Sequence, residues 1–103
     1  MNERSILSPA ETADELSGTA FVHIDERLIG AYSTADFTSA VRLLDAVAVA
    51  AEELNHHPEV QVGWGRVVFE LSSHDVGGVT SRDLALARRI GGIAAEQGAR
   101  VGK

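Results

Sequence analysis

Apolar and polar residues alternate with a period of two in two parts of the chain. Residues 19–24 and 27–32 are rich in β-branched and aromatic side chains and flank the polar pair 25–26, which predicts a β-hairpin. Alternation returns over residues 60–71, on both sides of a glycine-flanked turn centred on Trp64. The pattern therefore predicts two hairpins.

Between the hairpins the period changes to that of a helix. From Ser33 or Thr34 onward, apolar residues recur at helical spacing and predict one buried face: Phe37, Val41, Leu44, Ala48 and Ala51. This main helix should end at Pro58, because proline pushes the residue before it out of the helical region.

Two further helices are predicted from capping-box patterns in residues 8–11 and 80–83. The first should run from residue 9 to about residue 16 and end at Gly18. The second should end at Gly98, and its apolar face is predicted to comprise Leu84, Ala87, Ile90 and Ile93 or Ala94.

The predicted order of elements is α-β-β-α-β-β-α. This order indicates an α+β fold in which a four-stranded antiparallel sheet carries helices on one face. No repeat or linker interrupts the chain, so residues 1–103 are expected to form a single domain. The Gly91-Gly92 pair in the last helix costs about 1 kcal/mol per glycine relative to alanine. A close packing partner, such as another subunit, would compensate that cost.

The amino-acid composition disfavours several classes of binding partner and of chemistry. Nine basic and fifteen acidic residues give a formal charge of -6, which disfavours binding to nucleic acid or to anionic lipid. The absence of cysteine excludes thiolate catalysis and cysteine-ligated zinc.

The longest apolar run, residues 46–51, is too short to span a membrane, and no signal-peptide core follows the first residues, so a cytoplasmic location is expected. Only five aromatic residues imply a thin core that oligomerisation would stabilise.

Three histidines, His56, His57 and His74, are predicted to lie at one end of the sheet. With the turn centred near Trp64, residues whose numbers sum to about 129 pair with each other. His57 then lies opposite Ser72, and His74 follows just beyond.

Charged residues are predicted at the same end. The proline after the histidine pair allows His56 to stay helical while His57 turns into extended geometry. Glu52 lies one helical turn before His56, the spacing at which its carboxylate can hydrogen-bond the ring. The short loop after the third histidine returns Arg82 and Asp83 to this end.

Imidazole gives and takes protons near neutral pH, so three convergent histidines point to proton-transfer chemistry. A divalent metal is the less favoured alternative, since adjacent histidines on a helix are poor joint ligands and the helical i, i+4 spacing is absent. Some of these residues could instead have a purely structural role. His56 and His57 suit a helix C-terminus, Asp83 suits a helix cap, and Arg82 suits a solvated surface. Trp64 is either a hairpin tip packed on a neighbouring subunit or a wall of the ligand site.

The spacing of these residues resembles the signature of the pterin-4a-carbinolamine dehydratases. Glu52-x3-His56-His57-Pro58 is followed by Trp64, His74 and Asp83 at the family's intervals, and residues 55–59 and 73–87 carry the strongest likeness. The N-terminal half departs from the family pattern, with Thr19 where tryptophan is usual.

The resemblance implies the same α+β fold, no metal, no cofactor, and a homodimer or homotetramer. It also implies the dehydration of 4a-hydroxytetrahydropterin to quinonoid dihydropterin, as in tetrahydrobiopterin recycling. His56, His57 and His74 match the active-site histidines. Substrate-binding residues are expected at Glu52, Asn55, Pro58, Trp64, Asp75, Arg82 and Asp83. The alternative is a divergent, non-catalytic member that binds another protein.

Overall fold

The inner strands of two hairpins join to form the antiparallel sheet. In the computed structural model, which describes residues 4–102, the first hairpin comprises β1 (Phe21–Ile24) and β2 (Arg27–Ser33). The second comprises β3 (Glu59–Gly63) and β4 (Arg66–Leu71). The sheet order is β1-β2-β4-β3, so both predicted hairpins are confirmed.

The register of the second hairpin matches the predicted pairing. Glu59 lies opposite Glu70 and Gly63 lies opposite Arg66, and both pairs have the predicted sum. Because the strands are antiparallel, the start of β3 and the end of β4 lie at the same end of the sheet. The turn between β1 and β2 lies there too, since Leu28 pairs with Leu71.

A short fifth strand was not predicted. β5 (Arg100–Val101) pairs with the far end of β2, opposite Tyr32 and Ser33, where β1 no longer covers the strand. Gly102 adds a backbone N–H bond to the carbonyl of Ala31 at 2.7 Å. The chain beyond the last helix therefore satisfies an otherwise unpaired stretch of strand edge.

Within residues 4–102, three helices accompany the sheet: α1 (Pro9–Thr12), α2 (Phe37–Leu54) and α3 (Ser81–Glu96). Both predicted capping boxes are present, at Ser8 with Glu11 and at Thr80 with Asp83. α1 is shorter than predicted, because residues 13–18 form turns instead of continuing the helix. No helix in residues 4–102 is both long and apolar enough to cross a membrane.

The predicted buried face of α2 is confirmed at Ala51, and Leu44 is partly buried against the core, but Phe37, Val41 and Ala48 are exposed. The buried residues of the helix are Ala40, Leu43, Val47, Ala50 and Ala51, whereas Phe37 is 52% exposed and Val41 is 43% exposed. Apolar residues occupy two adjacent sides of this helix, so the spacing showed its period but not which side faces the sheet. Three of these five buried residues are alanines, and α2 contacts α3, β3 and β4.

The sheet side of the core is built from residues that pair across the strands. Leu28 with Leu71, Gly30 with Phe69, and Tyr32 with Val67 are buried neighbours on one face. The rings of Phe21, Tyr32 and Phe69 form edge-to-face contacts with centroid separations of 6.2 and 6.3 Å. The predicted inner face of α3 is confirmed at Leu84, Ala87, Ile90 and Ala94.

The packing partner expected for the glycine pair lies within the chain at one of the two positions. A Cβ on Gly91 would lie 3.0 Å from the methyl group of Thr19, so the glycine allows this close contact. A Cβ on Gly92 would meet no atom within 4 Å. Another subunit is therefore not needed to explain Gly91.

Candidate active site

A buried carboxylate lies at the centre of the candidate site. Asp83 is 0% exposed and stands in the first turn of α3, where its Oδ2 accepts the backbone N–H of Thr80 at 2.9 Å. The same oxygen accepts the hydroxyl of Ser73 at 2.8 Å. The other oxygen, Oδ1, accepts Nε2–H of His56 at 2.5 Å. Asp83 thus caps α3 and also holds a histidine.

His56 is not helical, contrary to the prediction. α2 ends at Leu54, and Asn55 takes the left-handed conformation with φ 50°. The backbone N–H of His56 then bonds back to the carbonyl of Ala51 at 3.0 Å, as in a Schellman-type helix end. The chain therefore leaves the helix before the histidine pair, and the ring of His56 reaches α3 instead of lying along α2.

Glu52 contacts His57 and not His56, which corrects the predicted pairing. The predicted contact assumes that the helix continues for four residues beyond Glu52. Because Asn55 reverses the chain first, it is the ring of His57 whose Nε2–H donates to Oε2 of Glu52. Both groups are exposed, with relative side-chain exposures of 56% and 75%.

His74 occupies the other side of the same end of the sheet. It follows β4 and is exposed, and it lines a cleft of about 380 Å³ together with Asp25, Glu26, Arg27, Glu70, Ser72 and Gly77. The topology places all three histidines at one end of the sheet, as the register predicted. His74 shares this cleft with residues of the β1–β2 turn, whereas His56 and His57 are bonded to side chains of α3 and α2.

The loop that carries His74 is anchored by Ser73. The carbonyl of Ser73 accepts the N–H groups of Val76 and Gly77 at 3.2 and 2.9 Å, and its N–H donates to Gly78 at 2.9 Å. Gly77 has φ 74°, a conformation that favours glycine. Gly77-Gly78 therefore closes a tight loop between β4 and α3.

Arg82 and Asp75 form an ion pair at the edge of the loop. The guanidinium donates to Oδ1 of Asp75 at 2.7 Å, and this hydrogen bond lowers the pKa of the Asp75 carboxyl below its ordinary 3.8. Arg82 also approaches Thr80 Oγ1 with its Nε at 3.4 Å. Arg82 is therefore tied to the loop instead of extending as a simple solvated charge.

Three further residues were predicted to bind substrate, namely Trp64, Asn55 and Pro58. Trp64 is 76% exposed in the β3–β4 turn. It is separated from the histidine end by a five-residue strand, roughly 15 Å at about 3.3 Å per residue. Within one chain it does not join the histidines. Asn55 forms the C-cap of α2, and Pro58 is half-buried immediately before β3.

Two hydroxyl residues that contact Asp83 were not among the predicted site residues. Ser73 is 1% exposed and Thr80 is 0% exposed, and their hydroxyl oxygens are 2.8 Å apart. The available signals were the capping pattern that begins at Thr80 and the position of Ser73 beside a histidine. The fourth histidine of the chain, His23, lies 2.8 Å from the hydroxyl of Thr12 through its Nδ1.

The two oriented rings can exchange protons at defined atoms. Because Asp83 accepts from Nε2 of His56 and Glu52 accepts from Nε2 of His57, Nδ1 is the nitrogen of each ring left to give or take a proton. In residues 4–102 no group of three potential ligand side chains is placed to share a metal ion. The arrangement is suited to acid–base chemistry on a ligand at this end of the sheet.

Comparison with known proteins identifies the family. Residues 5–93 match the family model described as Pterin 4 alpha carbinolamine dehydratase. The chain belongs to this family. The matched segment spans all three helices up to Ile93 and the four main strands of the carbinolamine dehydratase fold.

Two relatives carry the name of this family. A "Putative pterin-4-alpha-carbinolamine dehydratase" of Haloarcula marismortui is 36% identical over 88 residues, which cover 85% of this chain and 95% of the relative. A protein of the same name from Thermosynechococcus vestitus is 33% identical over 89 residues, with 85% and 94% coverage.

Two solved structures share the fold. A crystal structure described as a transcriptional coactivator/pterin dehydratase from Brucella melitensis has a TM-score of 0.80 at 29% identity, covering 87% of this chain and 99% of that chain. A pterin dehydratase-like protein described as a RuBisCO assembly factor in the alpha-carboxysome has a TM-score of 0.58 at 22% identity, covering 70% and 88%. The second likeness concerns the fold alone.

Proposed function

We propose that this carbinolamine dehydratase family member removes water from a 4a-hydroxytetrahydropterin to form quinonoid dihydropterin, as a step in tetrahydrobiopterin recycling. One observation carries the proposal. Two adjacent histidines are each held at Nε2 by a carboxylate, at the end of the sheet that also carries a third histidine. A protein that only binds another protein has no evident need for this arrangement.

The reaction requires one proton donor and one proton acceptor. The bond from C4a to the hydroxyl oxygen breaks, and that oxygen gains a proton and leaves as water. N5 loses its proton, and its electron pair forms the C4a=N5 double bond. An acid near the hydroxyl and a base near N5 therefore suffice, and no oxidant or metal enters the balance.

The histidines divide these roles. We assign His57 as the acid that protonates the leaving hydroxyl, through the Nδ1 that Glu52 leaves available. His74 takes the proton from N5, and His56 positions the substrate or assists His57. The residues expected around the pterin are Glu52, Asn55, Pro58, Asp75, Arg82 and Asp83, with Trp64 contributing from a neighbouring subunit.

Turnover of freshly generated 4a-hydroxytetrahydropterin tests the proposal. We expect His57→Ala and His74→Ala each to lower kcat by about 10²-fold or more, because a positioned acid or base is lost. The double variant should lose less than the product of the two single losses, since both groups act on the same transition state. EDTA should leave the rate unchanged.

His23→Gln is the matched control, because the ring of His23 is bonded to Thr12 and to neither of the carboxylates that hold His56 and His57. It should keep the wild-type rate. A wild-type protein without turnover would favour the protein-binding alternative. A rate lost with EDTA and restored by zinc would favour a metal-dependent enzyme. Full activity in either single variant would refute the assigned roles.

A further inference from the structure

Ser73 has a buried hydroxyl group for which the proposed reaction has no use. The residue is 1% exposed, yet its Oγ lies 2.8 Å from Asp83 Oδ2 and 2.8 Å from Thr80 Oγ1. A buried hydroxyl costs free energy unless its hydrogen bonds are satisfied. This one is satisfied on both sides by other buried polar groups, so it belongs to a closed network.

The direction of each bond follows from counting protons. The carboxylate of Asp83 only accepts, so Ser73 donates its single hydroxyl proton to Oδ2. Thr80 Oγ1 accepts the backbone N–H of Arg82 at 3.2 Å and therefore has its own proton free to donate to Ser73. The hydroxyl bonds run in one direction, from Thr80 through Ser73 to Asp83, and bonds aligned in this way strengthen one another.

This network determines how Asp83 faces His56. Two donors, the hydroxyl of Ser73 and the N–H of Thr80, hold Oδ2 of the carboxylate. With one oxygen held from two directions, the other oxygen is presented to Nε2 of His56. Without the Ser73 donor, only the cap bond from Thr80 would hold Oδ2, and the carboxylate could rotate away from the ring.

We propose that Ser73 is a positioning residue, whose hydroxyl orients Asp83 and thereby fixes the ring plane and the tautomer of His56. Ser73 acts through Asp83 and makes no contact with substrate in this scheme. The kinetic part of the inference rests on the proposed dehydratase function. The effect on the ring of His56 does not.

Imidazole ¹⁵N NMR tests the effect on the ring directly. In the wild-type protein we expect His56 to show a protonated Nε2 and, when neutral, an unprotonated Nδ1. Ser73→Ala should convert this signature into a mixture of tautomers. The signals of His57 and His74 should not change, because neither ring contacts Asp83. A general distortion of the loop would instead shift His74, which follows Ser73 directly in the chain.

Kinetics provide the second readout. Ser73→Ala should lower kcat by about 10- to 10²-fold with little change in KM, because misplacing a catalytic group by about 1 Å costs up to this much. Ser73→Thr, which keeps the hydroxyl, should recover most of the rate. Thr12→Val is the matched control: Thr12 is also a fully buried hydroxyl residue in contact with a histidine, but that histidine is His23.

The outcomes separate this inference from the proposed function. If the wild type shows no turnover, the dehydratase proposal fails, while the NMR comparison still tests the role of Ser73. If Ser73→Ala keeps both the wild-type kcat and the wild-type His56 signature, the inference is wrong. If Ser73→Ala does not fold by circular dichroism, Ser73→Cys, of similar shape but with a weak donor, takes its place with the same expected changes.

Discussion

At the scale of single residues, Asp83 shows how one side chain can satisfy two interpretations. Its position at the start of a helix favoured a cap, and its spacing from the histidines favoured the active site. The carboxylate has two oxygens, and the structure uses Oδ2 for the cap and Oδ1 for His56. The structural and the catalytic interpretations are therefore compatible.

Gly30 gives a prediction about the core at this scale. A Cβ on Gly30 would lie 2.8 Å from the ring of Phe21 on the neighbouring strand, closer than van der Waals contact permits. Gly30→Ala should therefore lower the free energy of unfolding by about 1–3 kcal/mol, measured by urea denaturation. Gly63→Ala is the control, since its Cβ would meet no atom within 4 Å. Equal stability of the two variants would contradict the packing described for Phe21.

At the scale of elements, the end of α2 determines which partner each histidine has. Asn55 reverses the backbone one residue before the histidine pair, so Glu52 meets His57 and His56 is directed to α3. The helix was predicted to end at Pro58, but the left-handed Asn55 ends it earlier. The positive φ of an asparagine is not visible in hydrophobic spacing, although asparagine is one of the residues that adopt it.

The glycine pair in α3 gives a prediction at this scale. Gly92→Ala should stabilise the protein by up to about 1 kcal/mol, because the new methyl group meets no atom within 4 Å and alanine favours the helix. Gly91→Ala should gain less or lose stability, because its Cβ would lie 3.0 Å from the Thr19 methyl group. Both differences can be measured from urea midpoints at constant m.

A substitution at Thr19 tests whether its methyl group causes the difference between the two glycine positions. Thr19→Ser removes the methyl group but keeps the hydroxyl that donates to the carbonyl of Leu16 and accepts from the N–H of Phe21. In this background Gly91→Ala should stabilise about as much as Gly92→Ala. If the two alanine variants already behave alike in the wild-type background, the close contact with Thr19 does not constrain α3.

At the scale of the whole molecule, hydrogen bonds to surface carboxylates couple stability to pH. Backbone and side-chain bonds at Ser8 lower the pKa of Glu11, and those at Ser39 lower the pKa of Asp36. Arg82 lowers the pKa of Asp75. A carboxyl whose pKa is lower in the folded state stabilises the fold above its unfolded pKa, and this stabilisation is lost as pH falls through the folded value.

We therefore expect the urea concentration at the unfolding midpoint to decrease as the pH is lowered from about 5 to about 2. Asp36→Asn should make the loss smaller, since asparagine still caps α2 but does not titrate. Urea titrations at several pH values provide the measurement. A midpoint that stays constant or rises in acid would show that these three carboxylates do not control acid stability.

Exposed apolar side chains motivate a prediction about assembly. Trp64 is 76% exposed, Val49 is 61% exposed and Phe37 is 52% exposed. Such exposed apolar side chains, like the small number of aromatic residues in the sequence, favour burial against another subunit. We expect a homodimer or homotetramer in solution. Light scattering at micromolar concentration should give a multiple of the 10.9 kDa chain mass, and a value near one chain mass would contradict the prediction.

The sequence by itself determined the local elements of this protein. Alternation, capping boxes and the turn at Trp64 depend on interactions between residues that are near in the chain, so they predicted both hairpins, the second register and the start of α3. The same local spacing brought His56, His57 and His74 to one end of the sheet. The family resemblance rested on these short intervals and was confirmed by the match to residues 5–93.

Only the tertiary structure decided which groups meet. The buried side of α2, the bond between His56 and Asp83, and the burial of Ser73 beside Asp83 all depend on contacts between different elements. The period of the apolar residues does not show which side of α2 faces the core, because two adjacent sides of this helix are apolar. A hydroxyl or carboxylate finds its partner only after the sheet and helices have packed.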